Sequence, residues 1–182
     1  MDKDNGEEIF PVVDDTGKTI GKATRAQCHG GSMLLHPVVH LHVIDESGCL
    51  LLQKRSMNKR IQPGKWDTAV GGHVDFGESI VEALQREASE EIGFPAEGLN
   101  KAEEIDRYVF ESAIERELVS CNIAPAPDGF TPRVETGEAD EVRYWPLTEI
   151  KEAIGRGVLT PNLELEFTER IYPYLRKRYG FE

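Results

Sequence analysis

The chain is short of cysteine, of positive charge and of long apolar runs, and each shortage closes a class of function. Its 182 residues hold three cysteines, Cys28, Cys49 and Cys121, too widely spaced to form a CxxC pair. That excludes a zinc ribbon and a disulfide framework and favours reduced thiols in the cytoplasm. Lys and Arg total 21 against 33 for Asp and Glu, a formal charge of −12. Bulk charge therefore holds neither a nucleic-acid polymer nor an anionic membrane. No apolar run nears the ~20 residues that span a bilayer. The opening Met1-Asp2-Lys3-Asp4-Asn5-Gly6-Glu7-Glu8 lacks the basic-then-apolar order of a signal peptide. What is present is 39% apolar residues, enough for a core, and 30% charged residues, which suit a soluble surface. Length and the lack of repeats or composition breaks predict one domain, 1–182, with a cytoplasmic location.

Residues 1–30 read as an N-terminal hairpin extension, turning at Asp15-Thr16-Gly17. Strands are predicted at Val38–Ile44 and Cys49–Gln53, with a short one at Trp66–Val70. Further strands are expected at Arg107–Phe110, Glu117–Ile123 and Val142–Trp145. The clearest helix runs from Ser79 to Ile92, where Ser79 and Glu82 fit a capping box, Gly93 ends the helix and Pro95 blocks resumption. Two more helices are expected at Thr148–Gly155 and Leu163–Arg178, with Pro173 kinking or dividing the second. Alternating strands and helices predict an α/β class with a sheet between helices.

Glu82, Glu87, Glu90 and Glu91 crowd that first helix, and the last three stand at i, i+3 and i+4 on one face. Such carboxylates repel one another unless a cation sits among them. Hard cations such as Mg²⁺ take oxygen ligands of this kind, with substrate phosphates completing the shell. Just before the helix, Gly71-Gly72 lets the backbone approach a ligand, and the Gly72 carbonyl is a further oxygen donor. From Gly72 the chain reads GHVDFGESIVEALQREASEEIGF. This resembles the Nudix box, over residues 72–94, at Gly72, Glu78, Arg86, Glu87, Ala88, Glu90, Glu91, Gly93 and Phe94. Ala88 and Phe94 stand where a larger aliphatic residue is commoner.

The resemblance implies a Nudix fold, an α/β/α sandwich around a mixed sheet. It also implies attack of an activated water on a diphosphate linkage with Mg²⁺ or Mn²⁺. By position, Glu87, Glu90 and Glu91 would bind the metal beside the Gly72 carbonyl. Glu78 and Arg86 would hold loop and helix in register. The general base would be one of these glutamates or a later acid, Glu138 or Glu141.

Flanking residues narrow the branch. Lys54-Arg55, Lys59-Arg60, Pro63-Gly64, Trp66 and Gly72-His73 look like bacterial type 1 isopentenyl-diphosphate isomerases. There the positions of Arg55 and Lys59 hold the substrate's diphosphate, as charge-assisted hydrogen bonding requires. The likeness extends to a second divalent-metal set of His29, His36, His73, Glu115 and Glu117, nitrogen and oxygen donors suited to Mn²⁺, Zn²⁺ or Mg²⁺. His40 and His42 have no counterpart and read as one face of a strand. Two departures disfavour isomerase chemistry: Gly71 replaces the isomerases' proton-handling cysteine, and Asn162 their tryptophan. The expected activity is thus a metal-dependent pyrophosphohydrolase on a small organic or nucleoside diphosphate, with the isomerase as the alternative. The oligomeric state is left open, a dimer included. Substrate choice is assigned to loops such as Ala124 to Thr136.

Overall fold

The computed structural model describes residues 6–134 and 139–180. Glu138 and Thr136, named above, therefore lie outside the described residues.

Strands β1 (Ile9–Val13) and β2 (Thr19–Thr24) form the expected hairpin as a separate two-stranded sheet. Its turn is built by Asp14, whose carboxylate accepts from the backbone N–H of Thr16 and Lys18, while Gly17 adopts φ +83°. A one-turn helix, α1 (Arg25–Cys28), follows under a Thr24/Gln27 capping box.

The main sheet contains β3 (Leu35–Ile44), β4 (Leu50–Arg55), β5 (Trp66–Thr68) and β6 (Val70–His73). It is completed by β7 (Glu103–Glu111), β8 (Arg116–Pro125) and β9 (Ala139–Trp145). Its path is β5-β4-β3-β8-β7, with β6 also on β3 and β9 also on β4. β3 and β8 run parallel and every other pairing is antiparallel, so the sheet is mixed. All ten residues of β3 are buried, as expected of a central strand covered on both faces.

Helix α2 (Ile80–Ile92) begins at Ser79, whose hydroxyl accepts from the Glu82 N–H while the Glu82 side chain returns to the Ser79 backbone. Such a cap contributes about 1 kcal/mol. Gly93 ends the helix at φ +67°. Ala83, Leu84, Ala88 and Ile92 pack on Val39, Leu41 and Val43 from one face of β3. The opposite face, carrying Val38 and Ile44, is covered by Ile150, Leu163, Phe167, Ile171 and Leu175. These come from α3 (Leu147–Ala153), α4 (Pro161–Glu166), a π-helical turn (Phe167–Ile171) and α5 (Tyr172–Tyr179). The predicted sandwich is thus present. Among the described residues, no helix is long and apolar enough to cross a membrane.

One element differs from the sequence reading. The stretch Trp66–Val70 is two strands, because the chain bends at Ala69 and moves from β4 to β3 as partner. The last helix divides ahead of Pro173, as the sequence predicts. Pro173 has no N–H for the carbonyl four residues back, and the turn before it widens so that the Tyr172 N–H reaches the Phe167 carbonyl.

Candidate functional site

Strand β6 sits where three clusters of polar side chains meet. Consecutive strand residues face opposite ways, and Gly71 and Gly72 do so here. A Cβ on Gly72 would run into the Glu87 side chain, whereas one on Gly71 would meet Thr68 and His40. Gly72 is glycine because the carboxyl group of α2 occupies the space.

On the α2 side, Arg86 ties loop and helix together, the role that the resemblance implies for it and Glu78. Its guanidinium donates to both Glu78 oxygens at 2.9 and 2.8 Å, to the His73 carbonyl at 3.0 Å and to Glu87 Oε1 at 2.5 Å. Those bonds from Glu78 and Glu87 hold its proton more tightly than usual. Glu87 and Glu91 are buried, while the Glu90 side chain is 40% exposed. Gln53 on β4 donates to Glu91 Oε2 at 2.9 Å, and the Gly71 N–H approaches the same oxygen at 3.4 Å. The helix thus brings Glu87 and Glu91 to β6, while the Glu90 carboxylate lies 3.8 Å from the Arg86 guanidinium on the same helix.

On the opposite side, His29 at the end of α1, His36 on β3, His73 on β6 and Glu117 on β8 converge. One ligand atom from each lies within 4.8 Å of all the others. His29 Nε2 and His73 Nε2 are 2.9 Å apart, and Glu117 Oε1 is 3.8 Å from His73 Nε2 and 4.0 Å from His36 Nε2. His36 donates Nδ1–H to the Leu34 carbonyl at 3.0 Å, which leaves its Nε2 an acceptor. That Nε2 is buried and has no hydrogen-bond partner among the described residues. Burial pushes the His36 proton affinity down and that of His73 well below the ordinary imidazole range. Burial, helped by Glu115, pushes Glu117 up to about 7. Imidazole nitrogens that converge within 4.8 Å, one of them orphaned, are chemically complementary to a divalent cation. Glu115 contacts His29 Nδ1, the nitrogen turned away from His73. Its place is therefore behind the imidazole, on the side away from His73, as carboxylates often stand in metal sites. Phe10 of β1 stacks on the His73 ring, centroids 4.4 Å apart, and closes the cluster from the hairpin side.

A third cluster was not legible in the sequence. Glu166, wholly buried at the end of α4, accepts from His42 Nε2 at 2.7 Å and from His40 Nδ1 at 3.1 and 3.2 Å. Tyr108 Oη lies 3.0 Å from its other oxygen and 2.9 Å from Asn162 Oδ1, and the buried Cys121 thiol bonds it too. His42, Cys121 and Glu166 have metal-like proximity. Here, however, the carboxylate is already surrounded by hydrogen donors, so the cluster is a hydrogen-bond hub. His40 and His42 do share one strand face, as expected.

The remaining predicted residues are more dispersed. Arg55 is pinned by Asp67 at 3.1 Å and by the Ile61 carbonyl at 3.2 Å, with Thr160 holding Asp67 from its far side at 2.8 Å. Lys59 lies in the β4–β5 loop, its N–H on the Ser56 carbonyl. Glu141 is exposed on β9, paired in register with Lys54.

The NUDIX domain model matches residues 34–163. The chain belongs to the Nudix family. This Nudix chain is 33% identical over 167 residues to isopentenyl-diphosphate Delta-isomerase of Brevibacterium linens, covering 89% of itself and 91% of that protein. It is 36% identical over 93 residues to an uncharacterized Nudix hydrolase of Nostoc sp., covering 51% and 55% of the two. Among solved structures, DR0079 from Deinococcus radiodurans superposes with TM-score 0.76 at 20% identity, over 88% of this chain and 98% of that one. A MutT protein from Methanosarcina mazei does so with TM-score 0.60 at 23% identity, over 80% and 96%. These structures share the Nudix fold, and the combined findings support a Nudix-type enzyme.

Proposed function

We propose that the chain is a metal-dependent Nudix pyrophosphohydrolase that cleaves the diphosphate linkage of a small organic or nucleoside diphosphate in the cytoplasm. The observation that carries this reading is β6 itself. Gly72 seats Glu87 beside Glu91 and Glu90, while the neighbouring Gly71 has no thiol. The three cysteines lie elsewhere: Cys28 and Cys121 are buried, and Cys49 sits in the turn before β4.

Glu87, Glu90 and Glu91, with the Gly72 carbonyl, are the residues that would hold Mg²⁺ or Mn²⁺. The bound cation would supply neutralisation of diphosphate charge and a water of lowered pKa. Arg86 keeps the carboxylates aimed, and Glu90 or Glu141, whose side chains are open to solvent, takes the water's proton. Arg55 and Lys59 contact the substrate's phosphates. His29, His36, His73 and Glu117 fit a second divalent cation on the orphaned His36 Nε2, with Glu115 orienting His29.

The alternative is isopentenyl-diphosphate isomerisation, favoured by the likeness to the Brevibacterium protein and by this same histidine cluster. The test is a panel of nucleotides and organic diphosphates assayed with Mg²⁺ and Mn²⁺. Glu90→Gln and Glu91→Gln are expected to lose hydrolysis by about 10²–10⁴-fold with unchanged circular dichroism; full activity in both overturns the reading. Double-bond migration by the unaltered protein, at a rate no lower than that of Gly71→Cys, establishes the isomerase instead.

A further inference from the structure

Strand β4 changes character at Gln53. Leu50, Leu51 and Leu52 are fully buried and apolar, and the half-buried Gln53 follows them. Alternation puts Leu51, Gln53 and Arg55 on one face of the strand, and Leu51 packs in the α2 core. The Gln53 side chain accordingly meets α2, where its Nε2 donates to Glu91 Oε2 at 2.9 Å. The β6 backbone approaches the same oxygen, with the Gly71 N–H at 3.4 Å. Donors from two strands thus fall on one oxygen of Glu91, and together they fix the rotation of the carboxylate and the direction of Oε1.

The next residue on that face is Arg55. Gln53 pairs in register with Asp67 of β5, and Arg55 reaches the Asp67 carboxylate diagonally at 3.1 Å. Asp67 is held in turn by the Thr160 hydroxyl at 2.8 Å, where α4 begins. The Cα atoms of Gln53 and Arg55 therefore stand about 7 Å apart along one strand. The first residue is bonded to Glu91 and the second is clamped by Asp67.

The donor that β4 supplies to Glu91 is chemically unlike the one at Glu87. Glu87 receives the Arg86 guanidinium, whose charge Glu78 shares. Gln53 offers Glu91 a neutral amide. An amide aims a carboxylate without cancelling the charge that attracts a cation, whereas a guanidinium in its place would compete with that cation.

We propose that Gln53 is a positioning residue for metal binding: its amide directs the Glu91 carboxylate toward the cation and fastens the metal site to the strand that carries Arg55. This rests on the pyrophosphohydrolase reading above, in which Glu91 is a ligand and Arg55 holds phosphate. Donors that stand behind a metal ligand commonly set affinity, and their loss costs about 10–100-fold. Strand β4 then fixes the spacing between the two positive charges, cation and guanidinium, that a diphosphate has to span.

Gln53→Met keeps the length and bulk of the side chain and removes its donor. The readouts are calorimetric titration with Mg²⁺, the Mg²⁺ concentration giving half-maximal hydrolysis of the best diphosphate, and urea unfolding of metal-free protein. Gln53→Met is expected to weaken Mg²⁺ binding and raise that concentration by about 10–100-fold. KM at saturating Mg²⁺ should change little, because Arg55 and Lys59 are intact. Gln53→Asn keeps a polar amide but is one methylene short of Glu91, and it should show the same loss. Gln53→Met/Glu91→Gln should bind Mg²⁺ no more weakly than Glu91→Gln alone, since Gln53 acts through that carboxylate. A merely structural role predicts instead a lowered urea midpoint with Mg²⁺ affinity unchanged. Wild-type Mg²⁺ affinity in Gln53→Met or Gln53→Asn, additive losses in the double variant, or no Mg²⁺ binding by the unaltered protein overturns the proposal. Glu91→Gln by itself separates the two levels. If it loses Mg²⁺ while Gln53→Met does not, only this inference fails; if it binds Mg²⁺ like the unaltered protein, the metal reading of α2 fails first.

Discussion

His36 and His40 stand two side chains apart on the same face of one strand, yet their surroundings give them opposite chemistry. His36 gives its single proton to the Leu34 carbonyl and turns a bare, buried Nε2 toward two further imidazoles and Glu117. His40 gives its Nδ1 proton to a carboxylate that also receives His42, Tyr108 and Cys121. The first cluster is rich in lone pairs; the second is rich in protons and already contains its anion. An imidazole on a buried strand face is therefore ligand or cation according to what packs over it. In this fold β8 with the hairpin covers one end of β3, and α4 covers the other.

Substitution of the carboxylate in each cluster tests that contrast most strongly. Glu166→Gln leaves several buried donors facing a neutral amide and is expected to cost about 3–5 kcal/mol in urea unfolding. Glu117→Gln in metal-free protein is expected to cost under about 1 kcal/mol, because burial and Glu115 already disfavour the charge there. Equal losses would break the comparison. Metal addition is the next largest effect. Mn²⁺ or Zn²⁺ at a hundred times its Kd is expected to stabilise the protein by about 2.7 kcal/mol. The gain should vanish in the double variant His36→Ala/His73→Ala and survive in His42→Asn; a gain that persists in the double variant assigns the metal elsewhere.

The smallest effect is a divergence with pH. His40 has a raised folded pKa, so its contribution is complete below pH 6.5 and fades as pH rises through about 9. Glu166 is held well below its ordinary range, against the opposing effect of burial, by His40 and His42, so its contribution is lost only on acidification. His36 and His73 are depressed by burial, so the unfolded chain binds their protons more readily and stability falls as pH drops below 6.5. Thermal unfolding of metal-free protein should show His40→Asn flattening the alkaline limb and His36→Gln the acid limb, each by about 2–4 °C per kcal/mol lost. If either variant flattens the other limb, the assignments are exchanged.

The sequence exposed the parts of this site whose signals are local. Ser79, Glu82 and Gly93 mark the ends of α2 within a few residues of the helix they bound, and the box places Arg86, Glu87 and Glu91 on it. The histidine set was reachable only through resemblance, since its members lie up to 88 positions apart, from His29 to Glu117. Glu166 had no signal at all. It reads as one more acid on a surface helix, and its histidine partners lie 124 and 126 residues earlier. The alternation His40-Leu41-His42 gave a shared face but not what would cover it. Phe10 stayed hidden for the same reason, because hairpin periodicity carries no record of where the hairpin docks. The split of Trp66–Val70 was illegible because a change of strand partner leaves the local pattern of side chains intact.

The opposed glycines of β6 bear on how such a site tolerates insertion and deletion. Strand parity alone assigns Gly72 to the carboxylates and Gly71 and His73 to the histidines. One residue added between Gly72 and His73 would turn His73 toward α2, or else shift both glycines into the wrong compartments. Two added residues would restore the parity. Length variation among functional descendants of this strand should therefore come in even steps, while the hairpin turn at Asp15-Thr16-Gly17 is free of that arithmetic.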